Sequence, residues 1–239
     1  MTQKKIACFV EGQTEQIFVE RLFQEIAGYK KISIATYKFK GGKANRIESQ
    51  QLNKLSTIKD APFFVLLYNC GCDSHVVSDI RKQHQKLTNE GYEKILGLKD
   101  LYPKLLSEKG QVEGGIKGWL KRVQPMGIPI YITLAVMEIE AWFLAEWHYL
   151  EKLDNRLSPD FILQELGLDL RKIDVEQRPH PSQDLDEIYR LVSRNYDKSE
   201  KASQEIINNL DYEFLYLHLV NSVKQLKRFI DEINSFLVE

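Results

Sequence analysis

The sequence has no long hydrophobic run. Its longest apolar stretch, residues 128–136, has the length of a β-strand and falls well short of the ~20 residues that a membrane-spanning helix needs. Only 13 glycines and 7 prolines occur among the 239 residues, so the composition is not that of a fibrous or low-complexity chain. Residues 1–12 contain too short an apolar run for a signal peptide, because a charged residue follows it directly. We therefore expect neither a membrane span nor a secretory leader.

Cysteine is also scarce. The three cysteines, Cys8, Cys70 and Cys72, cannot all pair within one chain, so the sequence predicts no disulfide framework. Cys70 and Cys72 lie near His75 and could bind zinc, but a fourth ligand is not evident and the spacing is narrower than usual. Buried cysteines beside a strand are the simpler interpretation. The expected compartment is the cytoplasm.

The charged residues are unevenly distributed in a chain that is 43% hydrophobic and 28% charged. Residues 1–59 contain 11 Lys and Arg against 5 Asp and Glu, whereas residues 138–239 contain 12 against 21. A basic region can attract a phosphate backbone. Charged residues scattered over a solvated surface explain the same distribution, so both interpretations stay open.

Segments typical of strands and helices alternate as far as residue 136. The predicted strands are 5–10, 32–39, 63–68, 95–98 and 128–136. The predicted helices between them are 14–27, 45–58, 74–87 and 101–123, the last with a break at the two glycines 114–115. Strands separated by helices indicate an α/β fold with a mostly parallel sheet flanked by helices.

Strand signals end after Met137. Helices are predicted at 139–150, 160–166, 185–194, 199–210 and 214–237, and a loop at 174–183. We therefore expect an α/β core over residues 1–150 and a helical C-terminal region over residues 151–239, packed on the core.

Two glutamates lie on either side of a predicted turn after the first strand. Glu11 follows the strand, Gly12 turns the chain, and Thr14 and Glu15 open the next helix. Ligands of open α/β sheets bind at the carboxyl ends of the strands, and carboxylate oxygens suit Mg²⁺ or Mn²⁺. Alternatively, Glu15 only complements the helix dipole and Glu11 only faces solvent.

The order strand, Glu-Gly-x-Thr-Glu, helix resembles the opening of the Toprim domain. Toprim domains that begin in this way occur in overcoming-lysogenisation-defect nucleases and in related small Toprim-like proteins of unknown function. Residues 137–146 (MEIEAWFLAE) resemble the Glu-Leu-Glu-Ala-Trp-x-Leu-Ala-Asp block of those small proteins. Residues 178–182 and 196–198 resemble their C-terminal region. The resemblance thus covers most of the chain and implies a Toprim-like sheet.

The resemblance also implies a metal-dependent phosphoryl-transfer site. Toprim domains place a glutamate after the first strand, which Glu11 matches, and an Asp-x-Asp pair after a later strand. Together these acids bind one or two divalent ions beside a nucleic-acid phosphate, and such ions stabilise both the attacking and the leaving oxygen. Mg²⁺ or Mn²⁺ is the implied cofactor.

The Asp-x-Asp pair is where this sequence departs from the family. After the strand 95–98, Asp100 is in place, but Tyr102 stands where the second aspartate belongs. After the strand 63–68, Asn69 and Gly71 occupy the paired positions and Asp73 follows. We favour Asp100. The predicted metal ligands are Glu11, Glu15, Asp73, Asp100 and Glu140, of which Glu11, Glu15 and Asp100 are the predicted catalytic residues.

Basic residues that could contact a nucleic-acid phosphate occur in two places. Lys40, Lys43 and Arg46 surround a glycine-containing turn that lacks the spacing of a P-loop. His180 lies between two prolines and could contact a phosphate or donate a proton. A solvated turn and an ordinary loop histidine are the alternatives.

Two hypotheses lead, and a third is a phosphatase-like or nucleotide-binding α/β domain that acts on small phosphate esters. The first is a metal-dependent Toprim-type nuclease acting on DNA or RNA. The resemblance further implies an ATPase partner of the ABC or AAA class in a bacterial defence system against phage or mobile DNA. The second is a catalytically degenerate Toprim-like subunit that binds or senses within an ATPase complex.

Overall fold

The computed structural model describes residues 3–40, 47–51, 61–71 and 75–238. The chain forms two compact units, each built from separate segments. The first unit comprises Met1–Lys99, Gly110–Leu134 and Phe229–Glu239, and the second comprises Asp100–Lys109 and Ala135–Arg228. Among the described residues, no helix combines the length and the apolar character needed to cross a membrane.

One β-sheet organises the first unit. Its strands are β1 (Lys4–Val10), β2 (Ile32–Lys40), β3 (Ile47–Gln51), β4 (Phe63–Asn69), β5 (Lys94–Asp100) and β6 (Ile130–Ala135). Their order across the sheet is β3-β2-β4-β1-β5-β6. β1 runs parallel to β4 and β5, and β2 runs parallel to β4, whereas β3 is antiparallel to β2. Five of the strands form the parallel sheet expected from the sequence.

Both faces of the central strands are buried. The helices described in this unit are α1 (Gln13–Ala27), α2 (Val76–Asn89), α3 (Lys109–Val123) from Gly110 onwards, and α10 (Lys224–Phe236) from Phe229 onwards. Alternate residues such as Ala7 and Phe9 in β1 belong to a core shared with Ile80 of α2, and Trp119 of α3 packs against it. Ile6 on the other face of β1 is also buried. This double coverage explains why the central strands are near-continuous apolar runs.

Two sequence predictions for this unit were wrong. The helix expected over 45–58 is a strand at Ile47–Gln51, because those residues pair with β2, and residues 52–60 lie outside the described ranges. The helix expected over 101–123 begins only at Lys109 and continues through the two glycines. Packing of Trp119, Leu120 and Val123 against the core supplies the stability that glycine does not.

Helices make up the second unit. They are α4 (Glu140–Ala145), α5 (Tyr149–Leu153), α6 (Pro159–Leu166), α7 (Pro181–Arg190), α8 (Glu200–Asn209), α9 (Tyr212–Leu217) and the start of α10 (Lys224–Phe236). Side-chain oxygens of Ser158, Ser199 and Asp211 accept backbone N–H groups at the starts of α6, α8 and α9. The predicted helices 139–150 and 214–237 are each interrupted, so single amphipathic stripes there correspond to pairs of helices.

Candidate functional site

The two glutamates of the Glu-Gly-x-Thr-Glu motif lie in the first unit and have different environments. Glu11 follows β1 and is half-buried. Glu15 is buried in the first turn of α1, where its Oε2 accepts the backbone N–H of Gly12 at 2.9 Å. A Cβ at Gly12 would lie 3.0 Å from that same oxygen, so glycine gives the carboxylate room. Glu15 therefore caps its own helix.

The strand end at β4 is occupied by an amide network. Asn69 is buried, donates from Nδ2 to Gln16 Oε1 at 2.9 Å, and accepts the N–H of Gly71 at 2.9 Å. The predicted ligand Asp73 lies outside the described residues. So do Lys43, Arg46 and the side chain of Lys40, which were predicted to contact phosphate.

The second unit brings three predicted or neighbouring acids around one lysine. Lys198 Nζ lies 2.7 Å from Glu138 Oε1 and 3.3 Å from Glu140 Oε1. Asp100, the last residue of β5, adds to their field at Lys198. Burial by itself would lower the pKa of Lys198, but the charges of these carboxylates raise it above its usual value, so the lysine is a permanent cation.

Glu138 holds Lys198 and the start of α7 at the same time. Its Oε2 accepts the backbone N–H of Ser182 at 2.9 Å, and its Oε1 accepts the Ser182 hydroxyl at 3.0 Å. A carboxylate is favourable at this helix N-terminus. Burial raises the pKa of Glu138, but the hydrogen bond and charge of Lys198, with the two Ser182 hydrogen bonds, lower it below the usual range. Glu138 is therefore ionised at neutral pH.

Glu140 is the most enclosed acid of the cluster, at 1% exposure. Its Oε1 accepts the Tyr196 hydroxyl at 2.9 Å, and its buried Oε2 has no hydrogen-bond partner within the described residues. Burial raises the pKa of Glu140, and the Glu138 charge adds to the increase, against the opposing effects of Lys198 and Tyr196. A carboxylic acid with such a pKa and an unused oxygen is typical of functional sites.

Strained backbone lies on two sides of this cluster. Met137, directly before Glu138, has φ 59°, and Lys198 has φ 55°. Left-handed backbone at a residue with a long side chain costs roughly 1–3 kcal/mol and persists only where the surroundings impose it. Such strain concentrates at functional sites, and here it occurs at Lys198 and directly before Glu138, the two partners of the 2.7 Å ion pair.

The loop that carries His180 is anchored beside α7. Arg178 makes a two-pronged ion pair with the buried Asp184, at 2.7 Å from Nε and 2.6 Å from Nη2. His180 itself is exposed, and its ring meets the ring of Tyr102 edge-on at 6.4 Å between centroids. Tyr102, at the position where the resemblance to Toprim domains predicts a second aspartate, is thus part of an aromatic contact.

The charge and the oxygen ligands of the cluster can be compared with what a divalent cation requires. Three carboxylates, when ionised, and one ammonium give a formal charge of −2, and the unpartnered Glu140 Oε2 is the kind of oxygen ligand that Mg²⁺ takes. Across the described ranges, no three Asp, Glu, His or Cys side chains converge closely enough to enclose a metal ion. A divalent ion held here would therefore take at most two of these carboxylates as ligands, and its other ligands would be water molecules, as is usual for Mg²⁺.

Sequence reasoning identified part of this arrangement. Asp100 and Glu140 were predicted, and the structure places both in the second unit, whereas Glu11 and Glu15 belong to the first. Glu138, Tyr196 and Lys198 were not assigned a role. The signal for them was present, because all three lie within the two blocks, 137–146 and 196–198, that resemble the Toprim-like proteins.

Comparison with known proteins gives one result. No curated protein and no solved structure matches the chain. A family model described as a domain of unknown function, DUF4276, matches residues 10–216, which include the whole cluster around Lys198. The chain therefore belongs to the DUF4276 family.

Proposed function

We propose that this protein is a phosphoryl-transfer enzyme of the Toprim type that hydrolyses phosphodiester bonds in DNA or RNA with a divalent cation. The observation that carries the proposal is the cluster in the second unit. A permanently charged Lys198 is held at 2.7 Å by one ionised acid and at 3.3 Å by a second, enclosed acid with an unused oxygen.

Lys198 is the group of the cluster that can reach a phosphate. Its side chain is 42% exposed, whereas those of Glu138 and Glu140 are 6% and 1% exposed. An ammonium held in place stabilises the negative charge that develops on a phosphoryl group under attack. Glu138 is a positioning residue, because it fixes the ammonium without contacting the substrate.

Asp100 and Glu140 are the residues that would hold the cation. When bound, a divalent ion lowers the pKa of a coordinated water and polarises the phosphoryl oxygen. Both acids are ones that the sequence assigned to metal binding. The predicted ligands Glu11, Glu15 and Asp73 are not needed for this part of the proposal.

The test is cleavage of plasmid, single-stranded DNA and tRNA in Mg²⁺ or Mn²⁺, with EDTA as the blank. Loss of one preorganised electrostatic group costs about 10²–10³-fold in rate, so we expect Lys198→Met to reduce cleavage by that factor. Lys201→Met is the matched control, since Lys201 is exposed on the neighbouring helix α8. It should leave the rate unchanged.

Two outcomes would contradict the proposal. The first is cleavage that survives Lys198→Met and Glu140→Gln, which would indicate a contaminating nuclease. The second is the absence of any cation-dependent cleavage while Mn²⁺ titration shows no binding to the wild-type protein. Melting curves of each variant establish that a lost activity does not result from unfolding.

A second candidate function is a binding or sensing subunit without catalysis. It is favoured by Tyr102, which replaces the second aspartate and contacts His180, and by the ammonium of Lys198, which already neutralises part of the acid cluster. On this proposal nucleic acid binds equally well with and without Mg²⁺, and no strand is cut.

The ATPase partner and the role in defence against phage or mobile DNA are proposals that rest on the resemblance, and the cytoplasmic location is a proposal that rests on the scarcity of cysteine. Co-expression with an ABC- or AAA-class ATPase encoded beside the protein tests the first of them. Co-purification at a fixed ratio supports it, and separation of the two proteins in gel filtration at moderate salt contradicts it.

A further inference from the structure

A groove of about 500 Å³ lies between α2 and α3 in the first unit. It is lined by Arg81, His84, Gln85, Trp119, Arg122, Val123 and Met126. None of these residues belongs to the cluster around Lys198, and none was predicted from the sequence to have a functional role. The groove combines two guanidinium groups with an aromatic ring, and these are groups that can bind an anion with an aromatic part.

The walls of the groove are positively charged. The sequences of α2 and α3 contain seven Lys and Arg against two Asp and Glu. Arg81 and Arg122 are both exposed, and neither forms an ion pair or hydrogen bond with another described residue. Lys117 and Lys121, one turn apart on α3, are exposed as well. The guanidinium groups are thus available to an anion.

The floor of the groove is preformed. His84 is buried and its Nε2 lies 2.8 Å from the Ile128 carbonyl oxygen, while Ile128 donates its N–H to Thr88 Oγ1 at 3.2 Å. A Cβ at Gly127 would approach Thr88 Oγ1 to 2.4 Å, so the loop packs directly on α2. Trp119 is half-buried because one part of its side chain packs against the core. The ring needs little ordering when a ligand binds.

The exposed surface of α3 beside the groove contains two glycines, which have no side chain. Gly114 and Gly118 lie one turn apart, and a Cβ at either position would meet nothing within 4 Å. Arg122 follows one further turn along the same face. Glycine lets another backbone approach closely, so a polymer can lie along α3 and still reach Arg122.

We propose that this groove binds a single-stranded segment of DNA or RNA. Arg81 and Arg122 contact successive phosphates, and an unpaired base stacks on Trp119. Guanidinium groups pair with phosphate oxygens two at a time, and aromatic side chains interleaved with positive charge are how single strands are bound without sequence preference. A paired base cannot offer its face to Trp119, so duplex nucleic acid is a poorer ligand. The choice of nucleic acid as the ligand rests on the proposed function.

The test measures binding apart from cleavage. Fluorescence anisotropy of a labelled 12-nucleotide oligo(dT) or oligo(U), in EDTA and across a range of salt concentrations, gives the affinity and its salt dependence. Loss of two phosphate contacts on a single strand reduces the slope of log K against log salt by about 1.4. We expect the double variant Arg81→Gln/Arg122→Gln to show this reduction and to bind at least 10-fold more weakly.

Stacking has a separate readout. Removal of a stacking platform costs about 1–3 kcal/mol per base, which corresponds to roughly 5- to 150-fold in affinity. We expect Trp119→Leu to weaken binding within that range without changing the salt slope, and Trp119→Phe to restore part of it. Lys31→Gln, at an exposed lysine elsewhere in the first unit, is the control and should change neither quantity.

Several results would overturn the inference. One is a double arginine variant with the affinity and the salt slope of the wild-type protein. The others are equally tight binding of duplex and single-stranded nucleic acid, and tighter binding of an acidic peptide than of an oligonucleotide through the same residues. Failure of the proposed function is distinguishable from these. If Lys198→Met cannot cleave but binds oligonucleotide normally, the groove stands. If the groove variants bind and cleave like wild type, only the groove fails.

Discussion

The two units of this protein bury different kinds of residue. The first unit buries apolar side chains on both faces of its sheet, with Glu15 and Asp79 as its buried acids among the described residues. The second unit buries five acids in its described part, namely Asp100, Glu138, Glu140, Glu146 and Asp184. Buried carboxylates cost stability unless they are paired, and functional sites are where proteins accept that cost. This difference is the reason that we place the proposed chemistry in the second unit and the proposed binding surface in the first.

The largest expected effect comes from the apolar part of the second unit. Trp142 on α4 is 1% exposed and is among the largest fully buried side chains. Truncation of a buried aromatic costs about 3–5 kcal/mol. We expect Trp142→Ala to lower the free energy of unfolding by that amount in urea titrations, with hydrogen exchange showing the loss first at amides of the second unit. Equal loosening of β1 and β4 would mean that the two units unfold together.

An effect of intermediate size is the pH dependence of stability that a buried carboxyl group of the second unit causes. Burial raises the pKa of Glu146 to about 8, and its Oε1 lies 3.1 Å from His148 Nδ1. The folded protein therefore retains a proton that the unfolded chain, with a carboxyl pKa near 4.5, releases. The stability from this proton is fully present below pH 4.5 and is lost as the pH rises through about 8.

We expect Glu146→Gln to remove that slope, which for one proton is at most about 1.4 kcal/mol per pH unit. Urea titrations at pH 5, 6, 7 and 8 measure it, with Glu151→Gln as the control at an exposed position of α5. The variant should be most stabilised relative to wild type at the highest pH. A wild-type curve parallel to that of Glu146→Gln would show that this carboxyl titrates normally.

The smallest effect concerns the helix beside the groove. Gly114 lies in the interior of α3 with open space where a Cβ would be. Replacement of glycine by alanine in a helix gains roughly 0.5–1 kcal/mol. Gly114→Ala should therefore raise the free energy of unfolding by that amount, as read from the urea midpoint. If the glycine allows a nucleic-acid strand to approach α3 closely, Gly114→Ala also binds oligonucleotide more weakly. Unchanged stability of the variant would mean that α3 is not helical at this position in solution.

Most strands and helices of the first unit were predictable, whereas the strand β3 and the continuity of the helix α3 were not. β1, β4, β5 and β6 were expected from apolar runs and β2 from alternating apolar and polar residues, and each was found within one or two residues of the expected limits. β3 was missed because residues 47–51 acquire strand conformation by pairing with β2, and pairing is not encoded in the local pattern. The helix α3 was interrupted in the prediction at glycines that tertiary packing tolerates.

The candidate site was predictable in its residue types but not in its geometry. Asp100 and Glu140 were assigned from their places after strands, yet their common partner Lys198 lies about sixty residues beyond Glu140 and carried only a weak pattern. The groove of Arg81, Trp119 and Arg122 had no signal at all, because its residues come from two helices that are not adjacent in the sequence.

Composition and hydrophobic periodicity were sufficient to establish an α/β fold with a helical C-terminal part, since burying apolar faces is a local requirement that every segment expresses. Which acids share a lysine, which arginines are left unpaired and which glutamate caps a helix depended on tertiary structure. These properties come from distances between segments far apart in the chain, and the local pattern contains no record of such distances.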